Sequence, residues 1–259
     1  MDGAVAGGRE VTAGSMAVVM TAFSRPQYLL EALESWSRVR GLDGLAARRI
    51  CIDPSPLTSP ASWLAEKHGW DAHVNGSRLG VLVNPVESIG AMFRDHPEVD
   101  FVVLAEEDVV VSADILEYFS WVQRFRDDPG ILLACAHTKT YALRGKPDQE
   151  TVRRLPAFFS PLVWGCWRED WFGVLEPTWD RSYSTGSGAE AGWDWNLMRI
   201  MRASGQYSVA PDQSRSDHIG ALGGAHCTAA MFPETQDPWH CRDVPVCRYS
   251  YVVEDFPDD

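Results

Sequence analysis

Apolar runs and amphipathic segments alternate along the first half of the chain, and this alternation is the strongest constraint on its fold. The apolar run MAVVMTA at 16–22 is followed at 23–41 by a segment whose apolar residues recur at helical spacing. The succession of strand and helix continues to residue 136. It predicts an α/β domain with a mostly parallel sheet, because neighbouring parallel strands need a crossover helix. Ligands of such sheets bind at the carboxyl ends of the strands.

The first helix carries recognisable end signals. Ser24 and Gln27 stand at capping-box spacing, and Pro26 suits the first turn because its missing N–H costs nothing there. Gly41 is placed to end the helix.

Length and composition are compatible with one large domain or two small ones. The chain has 259 residues, of which 45% are hydrophobic, which is enough for a substantial core. Residues 1–15 are rich in Gly and Ala, and we expect a flexible tail there. Residues 16–136 form the regular α/β half, and residues 137–259 are expected to lay loops and short elements over the sheet as a second half of the same domain.

Charge and composition limit the cellular compartments and the binding partners that we expect for this protein. The formal net charge of −13 disfavours non-specific binding to nucleic acid or to an anionic membrane. No stretch approaches the roughly 20 apolar residues that span a bilayer, and the N-terminus lacks the basic and apolar regions of a signal peptide. The six cysteines need not form disulfides in a chain of this size. We therefore expect a cytoplasmic protein that does not associate with membranes.

Three adjacent carboxylates, Glu106, Glu107 and Asp108, interrupt an apolar segment. Buried like charges are costly unless they are paired or bind a metal. In an extended segment Glu106 and Asp108 would face one side and Glu107 the other. Mg²⁺ or Mn²⁺ would offset their repulsion, since such ions bind one or two carboxylates together with substrate phosphates. The alternative is an acidic turn paired with Lys or Arg elsewhere.

Two common nucleotide-binding motifs are missing from the sequence. It contains no G-x-x-x-x-G-K-[ST] phosphate loop, and no G-x-G-x-x-G follows the first strand. A nucleotide would therefore be held in another way, and a metal ion bound to the three carboxylates could hold it.

The order of several segments resembles a known family. Residues 102–136, from VVLAEED through LEYF and DDPG to ILLACA, resemble the region around the Glu-Asp-Asp metal motif of the N-acetylglucosaminyltransferase I family of inverting glycosyltransferases. Residues 158–180, 192–199 and 214–226 are similar, in that order, to the family's segment after the metal site, its catalytic Trp-Asp segment and its donor-closing loop. The resemblance covers residues 16 to 230. It implies a GT-A (nucleotide-diphospho-sugar transferase) fold with a Rossmann-like sheet, in which residues 16–136 bind the nucleotide sugar and residues 137–259 bind the acceptor.

The resemblance also implies roles for individual residues. Asp108 would be the metal ligand, Glu107 would contact the ribose and donor sugar, and Glu106 would lie against the sugar. Arg25 would bind the donor, and Asp53 would recognise the base, consistent with uridine. This chain has Glu-Glu-Asp where the family has Glu-Asp-Asp, so a longer side chain stands at position 107. Without the resemblance, Arg25 is equally an ordinary helix-terminus residue and Asp53 a turn former.

A candidate base lies in the segment GWDWNLMR at 192–199. Asp194 stands at the start of a predicted helix, between two tryptophans that would screen it from water, and a helix N-terminus favours an ionised carboxylate. An inverting transferase needs one carboxylate to take the proton from the acceptor hydroxyl. Glu190 is a second candidate for this role. The alternative is that Asp194 only caps the helix.

A glycine-rich segment, SDHIGALGGAH at 216–226, is the candidate donor loop. Such a loop can close over a diphosphate through backbone N–H groups and a histidine. We name His218, Gly220 and His226 as its donor-binding residues. The alternative is a surface loop with incidental histidines.

The segment 139–154 is a basic island in an acidic chain. It is either a solvated loop or a phosphate-binding element near the acceptor. The second interpretation admits a hydroxymethylated base in DNA as acceptor, with Trp164, Trp167 and Trp171 as stacking partners for a flipped base. The same tryptophans would hold a sugar equally well.

Five potential soft ligands cluster near the C-terminus. They match no C-x-x-C pair, so zinc and a Cys241–Cys247 disulfide both stay open. The five are His226, Cys227, His240, Cys241 and Cys247.

Together these observations predict a metal-dependent inverting glycosyltransferase. It would move a hexosyl or N-acetylhexosaminyl group from a UDP-sugar to the hydroxyl of a glycan, a small metabolite or a modified DNA base. Two alternatives use the same residues. One is a metal-dependent phosphohydrolase or nuclease, and the other is a non-catalytic nucleotide-sugar-binding module.

Overall fold

A computed structural model of the protein describes residues 15–138, 151–156, 161–183, 192–222, 229–230, 232–235, 241 and 252–255. The predicted tail, residues 1–15, lies outside this part except for its last residue. The strands are β1 (Met16–Ala22), β2 (Ala47–Ile52), β3 (Asp71–Val74), β4 (Phe101–Glu106), β5 (Val109–Val111), β6 (Ile131–Cys135), β7 (Thr151–Pro156), β8 (Trp164–Trp167), β9 (Tyr207–Pro211), β10 (Ser216–His218) and β11 (Val252–Asp255). The α-helices are α1 (Pro26–Trp36), α2 (Thr58–Lys67), α3 (Gly80–Asp95), α4 (Ile115–Val122), α5 (Arg168–Asp170), α6 (Glu176–Thr178), α7 (Trp193–Ser204) and α8 (Phe232–Thr235).

Nine of the described strands form one mostly parallel sheet in the order β11-β7-β9-β6-β8-β4-β1-β2-β3. The neighbours β1 and β2, β1 and β4, and β2 and β3 are parallel. The strand β1 is buried along its whole length, as expected of a central parallel strand covered on both faces. The predicted α/β architecture is therefore confirmed.

Helices cover both faces of the sheet because successive residues of the central strands point in opposite directions. Val18 packs in a core with Leu33 of α1 and Ile115 of α4. Its neighbour Val19 packs in the other core with Ile89 of α3. The helix α7 joins this second core, so it lies on the same face of the sheet as α3.

The second half of the chain contributes more to the sheet than the sequence predicted. Instead of only laying loops over it, this half supplies β7, β8, β9 and β11. The strand β8 lies between β4 and β6 and is antiparallel to both. Gly165 permits this position, because a Cβ there would come within 2.4 Å of the Phe101 ring. Strands of only four to six residues gave little periodicity to detect.

The tryptophans proposed to stack on a flipped base belong to the core. Trp164, Trp167 and Trp171 are all buried, with at most 2% of each exposed. Burial of these large apolar surfaces stabilises the fold. They are not available to a DNA base, so that prediction is wrong.

Of the end signals of the first helix, Pro26 in the first turn is confirmed, but the capping box and the end at Gly41 are wrong. The helix begins after Arg25 without a side-chain cap and ends at Trp36 rather than at Gly41. Ser24 and Gln27 form no capping box, because Arg25 is the residue that precedes the helix.

A second, two-stranded sheet stands at the end of β4. It pairs β5 with β10 antiparallel, and His218 lies opposite Val109. This pairing fixes the segment that follows β10 beside the acidic triplet. Within the described residues, no helix is long and apolar enough to cross a membrane.

Candidate active site

Three neighbouring parallel strands end at one edge of the sheet. Thr21 of β1 is in register with Glu106 of β4, and Ala22 is in register with Ile52 of β2. The residues just beyond these ends therefore meet at the edge where ligands of α/β sheets bind. They include the predicted residues Arg25 and Asp53 and the acidic triplet.

The three carboxylates do not alternate as predicted for an extended segment. The strand ends at Glu106, and Glu107 and Asp108 lie in a turn, where the Glu107 amide donates to the Thr21 carbonyl at 3.0 Å. The side chains of Glu107 and Asp108 consequently reach the same guanidinium, that of Arg25. Glu106 instead faces α7.

Arg25 holds both turn carboxylates. Its Nε lies 2.8 Å from Glu107 Oε1, and its Nη1 lies 2.7 Å from Asp108 Oδ2. Burial alone would lower the pKa of Arg25, but the charges of Asp108 and Glu107 outweigh it and raise that pKa. The alternative of an acidic turn paired with an arginine is therefore present in this structure.

Asp108 also contacts the candidate donor loop. His218 Nε2 lies 3.2 Å from the same Oδ2 that Arg25 approaches, and the Ile219 amide donates to the Asp108 carbonyl at 2.8 Å. Burial opposes ionisation of Asp108, but the hydrogen bond from His218 and the charge of Arg25 hold the pKa of this carboxyl below its usual value. Gly220 lies against the pair, since a Cβ there would be 2.2 Å from Asp108 Oδ2 and 2.7 Å from His218 Nε2. The structure thus brings together Asp108, His218 and Gly220.

Glu106 differs from its two neighbours in having a tryptophan as partner. The Trp193 indole N–H donates to Glu106 Oε1 at 3.2 Å. Some of the Glu106 surface is open to solvent, yet burial of its carboxyl, together with the charge of Asp108, raises its pKa to about 8. The indole N–H and Arg25 act in the opposite direction.

The candidate base lies at the start of α7. Gly192 precedes the helix, and Asp194 stands in its first turn, half-buried. The charge of Asp194 contributes to the raised pKa of Glu106, so the two carboxylates are within electrostatic reach. Trp193 packs against Trp164 with ring centroids 5.6 Å apart. Trp195 is 49% exposed, so only one of the two flanking indoles is enclosed as predicted.

Asp53 is buried, with 2% exposed, and organises the segment before α3. Its carboxylate accepts hydrogen bonds from the Asn75 side chain at 2.9 Å and from the amides of Leu79 and Gly80 at 3.0 and 2.8 Å. Both oxygens are therefore engaged within the protein. Recognition of a base by Asp53 stays a prediction.

The structure adds four residues that the sequence did not single out. The Phe23 amide donates to Glu107 Oε2 at 2.9 Å, and the Arg78 guanidinium lies 4.3 Å from the Phe23 ring centroid. The Tyr28 hydroxyl accepts a hydrogen bond from the Leu222 amide at 3.0 Å. The position of Phe23 directly after a parallel strand was a usable signal. The sequence carried no such signal for Tyr28, Arg78 and Leu222, because their contacts join residues far apart in the chain.

Several candidates fall outside the described residues. These are Glu190, His226, Cys227, His240, Cys247 and residues 139–150. Cys241 is buried, and its amide donates to Asp217 at 3.1 Å. Of the basic segment, Arg153 pairs with Asp212 and Arg154 with Asp128, at 2.9 and 3.7 Å.

The residues around Asp108 suit a divalent cation that is shared with a substrate. Among the described residues, no group of three or more His, Cys, Asp and Glu side chains is arranged to hold a metal. Asp108 offers a carboxylate, a ligand that suits Mg²⁺ and Mn²⁺, and His218 offers an imidazole, a ligand typical of other transition-metal sites. Such ions commonly take their other ligands from phosphates and water. Arg25 would have to release Asp108 for the ion to bind.

No protein-family model matches the sequence. Solved structures similar to this chain include S. aureus TarS 1-349, with 13% identity, a TM-score of 0.50, and 78% of this chain and 59% of that chain covered. A second is the mannosyltransferase PcManGT from Pyrobaculum calidifontis in complex with GDP-Man and Mn²⁺, with 15% identity, a TM-score of 0.49 and coverages of 76% and 54%. A third is a cytidylyltransferase from Leptospira borgpetersenii, with 12% identity, a TM-score of 0.37 and coverages of 49% and 56%.

The matches bear on the fold. This chain spans little more than half of the length of each of these proteins, between 54% and 59%. The sheet order and the likeness to TarS agree with the predicted architecture, and the chain has the GT-A fold. These matches do not single out the N-acetylglucosaminyltransferase I family, and membership of that family stays a prediction.

Proposed function

We propose that this protein is a metal-dependent inverting glycosyltransferase that moves a sugar from a UDP-sugar to an acceptor hydroxyl. The observation that carries the proposal is the meeting of Asp108, His218 and Gly220 at the carboxyl edge of a GT-A sheet, next to the helix that bears Asp194. This arrangement offers a cation site and a carboxylate base side by side.

Asp108 and His218 would hold Mn²⁺ or Mg²⁺ together with the donor diphosphate. When bound, such an ion neutralises the charge that develops on the departing diphosphate. Arg25 is already placed at the same carboxylates, 2.8 Å from Glu107 and 2.7 Å from Asp108. Once released from Asp108, its guanidinium could donate to the diphosphate, a group that arginine binds well.

Asp194 would act as the general base. Its carboxylate takes the proton of the acceptor hydroxyl while the acceptor oxygen forms a bond to the anomeric carbon. The bond from that carbon to the diphosphate breaks in the same step, and the nucleoside diphosphate leaves with the electron pair. A single displacement of this kind inverts the anomeric configuration. Glu106 accepts a hydrogen bond from Trp193 and is within electrostatic reach of both Asp194 and Asp108.

We propose a glycan or a small metabolite rather than DNA as the acceptor. The tryptophans that would have stacked on a flipped base are buried, and the two described arginines of the basic segment are paired with carboxylates. The sugar is a hexosyl or N-acetylhexosaminyl group by resemblance.

Nucleotide binding and transfer can be tested separately. We expect UDP to raise the melting temperature more than GDP, ADP or CDP, and only with Mn²⁺ rather than EDTA. Asp108→Ala should abolish this shift. Asp194→Asn should keep the shift and lose transfer, because it removes the base without touching the cation site. A shift of equal size for every nucleotide would argue against a UDP-sugar donor, and phosphoester hydrolysis without transfer would favour the hydrolase.

A further inference from the structure

One edge of the nine-stranded sheet is open in the described part of the chain. The strand β3 stands last in the strand order, and among the described residues it pairs with β2 alone. Three of its four residues are exposed. An edge strand of this kind presents backbone N–H and C=O groups that can pair with a strand of another chain.

One hydrogen bond shows which backbone groups of β3 face outward. The Asn75 amide donates to the Ile52 carbonyl at 2.9 Å, so the N–H of residue 75 faces β2. Along a strand, the backbone groups of successive residues point to opposite sides. Ala72 and Val74 therefore direct their N–H and C=O groups away from β2, toward the open edge.

The side chains along this edge are self-complementary. Asp71 and His73 lie on the same face of the sheet, because they are two residues apart in a strand. Arg49 Nε donates to Asp71 Oδ2 at 2.6 Å, and no described residue donates to Asp71 Oδ1. His73 is exposed and has no hydrogen-bond partner among the described residues. One short strand thus carries a free acceptor and, two residues later, a free donor.

Exposed apolar side chains are concentrated in the segment that leads into this edge. Six large hydrophobic side chains are exposed in the described part of the chain, and three of them fall between residues 57 and 74: Leu57, Trp63 and Val74. Trp63 of α2 is 58% exposed. Exposed apolar groups that occur together mark interaction surfaces. Ala72 packs on the same core as the buried residues of α2, so this helix lies on one face of the sheet beside the edge.

We propose that two copies of this chain associate through β3 into a symmetric dimer. The two strands pair antiparallel about a two-fold axis that is perpendicular to the sheet and passes between the two Ala72 residues. Each Ala72 N–H donates to the Ala72 C=O of the other copy. Asp71 then stands opposite His73 of the second copy, at a position without backbone hydrogen bonds, where side chains come closest. This inference is independent of the proposed function.

The choice of a second copy as the occupant rests on charge and symmetry. A two-fold interface brings the same surface of both copies together, so it has to be self-complementary. The Asp71–His73 contact forms twice in the dimer, since the imidazole N–H donates to Asp71 Oδ1 on both sides of the axis. The net charge of −13 opposes association, and this local match offsets part of the repulsion. The two copies of α2 lie on the same face of the joined sheet, where we expect them to cover part of Trp63.

Sedimentation equilibrium of the full chain tests the proposal. The contact involves one strand and one helix of each copy, so we expect a weak dimer whose average mass rises toward twice that of the monomer between about 1 and 200 µM. His73→Asp places carboxylates opposite each other on both sides of the axis, and Asp71→Lys places lysine opposite histidine. Each change should raise the dissociation constant of the dimer by about tenfold or more.

Mixing the two variants provides the sharpest test. In an equimolar mixture every Asp can again face a Lys or a His, so dimers of one copy of each variant should form at concentrations at which either variant alone is a monomer. The matched control is Arg202→Gln, an exposed residue of α7 whose substitution changes the net charge by the same amount as His73→Asp. This control should associate like the wild type. Melting temperatures check that each variant is folded.

The outcomes that contradict the proposal are distinct. A wild-type protein that stays monomeric at 200 µM overturns it, and so does dimerisation that neither substitution changes. Dimerisation that survives Asp71→Lys but not His73→Asp would centre the pairing on His73 and overturn the assigned register. A mixture that fails to associate overturns it as well. None of these results depends on nucleotide binding or sugar transfer, which test the proposed function.

Discussion

Substitution of Gly220 by alanine probes the packing of the candidate cation site with one methyl group. The added Cβ would lie 2.2 Å from Asp108 Oδ2, 2.7 Å from His218 Nε2 and 2.9 Å from Asp108 Cγ. Gly220 is not among the described glycines with a positive φ, so alanine is compatible with its backbone. The effect therefore comes from the steric contact alone.

The required displacement sets the size of the effect. Moving Oδ2 from 2.2 Å to 3.0 Å from the methyl carbon, the lower limit of such contacts, needs a shift of about 0.8 Å. Asp108 cannot shift easily, because it is buried and held by Arg25, His218 and the Ile219 amide. A misplacement of about 1 Å at a reacting site can cost about 100-fold. We expect Mn²⁺-dependent UDP binding to weaken by about 10- to 100-fold, or about 1.4 to 2.8 kcal/mol.

Calorimetric titration of UDP in Mn²⁺ measures this loss directly. Gly173→Ala is the matched control, since a Cβ at Gly173 meets nothing within 4 Å and the residue is exposed. The control should bind UDP like the wild type. Wild-type affinity in Gly220→Ala, with an unchanged melting temperature, would refute the placement of the donor diphosphate beside Asp108 and His218.

Two further predictions concern stability. Trp193→Phe keeps an aromatic ring against Trp164 but removes the N–H that donates to Glu106. The free energy of unfolding in urea should therefore fall by about 1 kcal/mol or more. An unchanged unfolding midpoint would contradict this hydrogen bond. Asp170→Asn tests a carboxyl whose pKa is raised to about 6 by burial and by Glu169, against Arg126. Because the pKa of Asp170 is higher in the folded than in the unfolded protein, the wild type loses stability as the pH rises through about 6. Asp170→Asn should therefore have a higher melting temperature than the wild type at pH 7. The difference in melting temperature should vanish below about pH 4. A difference that is constant with pH would rule out this titration.

The first half of the fold followed from the sequence because its patterns are local. The strand β1 has the predicted bounds, since a continuous apolar run is also a fully buried strand. The residue that precedes α1 was missed because tertiary contacts decide it. Arg25 precedes that helix and turns its side chain to Glu107 and Asp108, which no local capping pattern foretells.

The candidate site was predictable in its location and less so in its contacts. The meeting of Asp108 with His218 depends on the pairing of β5 with β10, two short strands more than one hundred residues apart in sequence. The alternation predicted for the acidic triplet failed because the strand ends at Glu106. The partner of Glu106, Trp193, comes from a helix on the face of the sheet.

The central claim is that Asp108 and His218 jointly bind a divalent cation when the donor diphosphate is present. Pulsed electron paramagnetic resonance of Mn²⁺ with UDP and the protein reports directly on nitrogen ligands of the ion. We predict a ¹⁴N coupling from the His218 imidazole that disappears in His218→Gln, and much weaker Mn²⁺ binding in Asp108→Asn. A spectrum without nitrogen coupling, together with unchanged Mn²⁺ affinity in Asp108→Asn, would contradict the account.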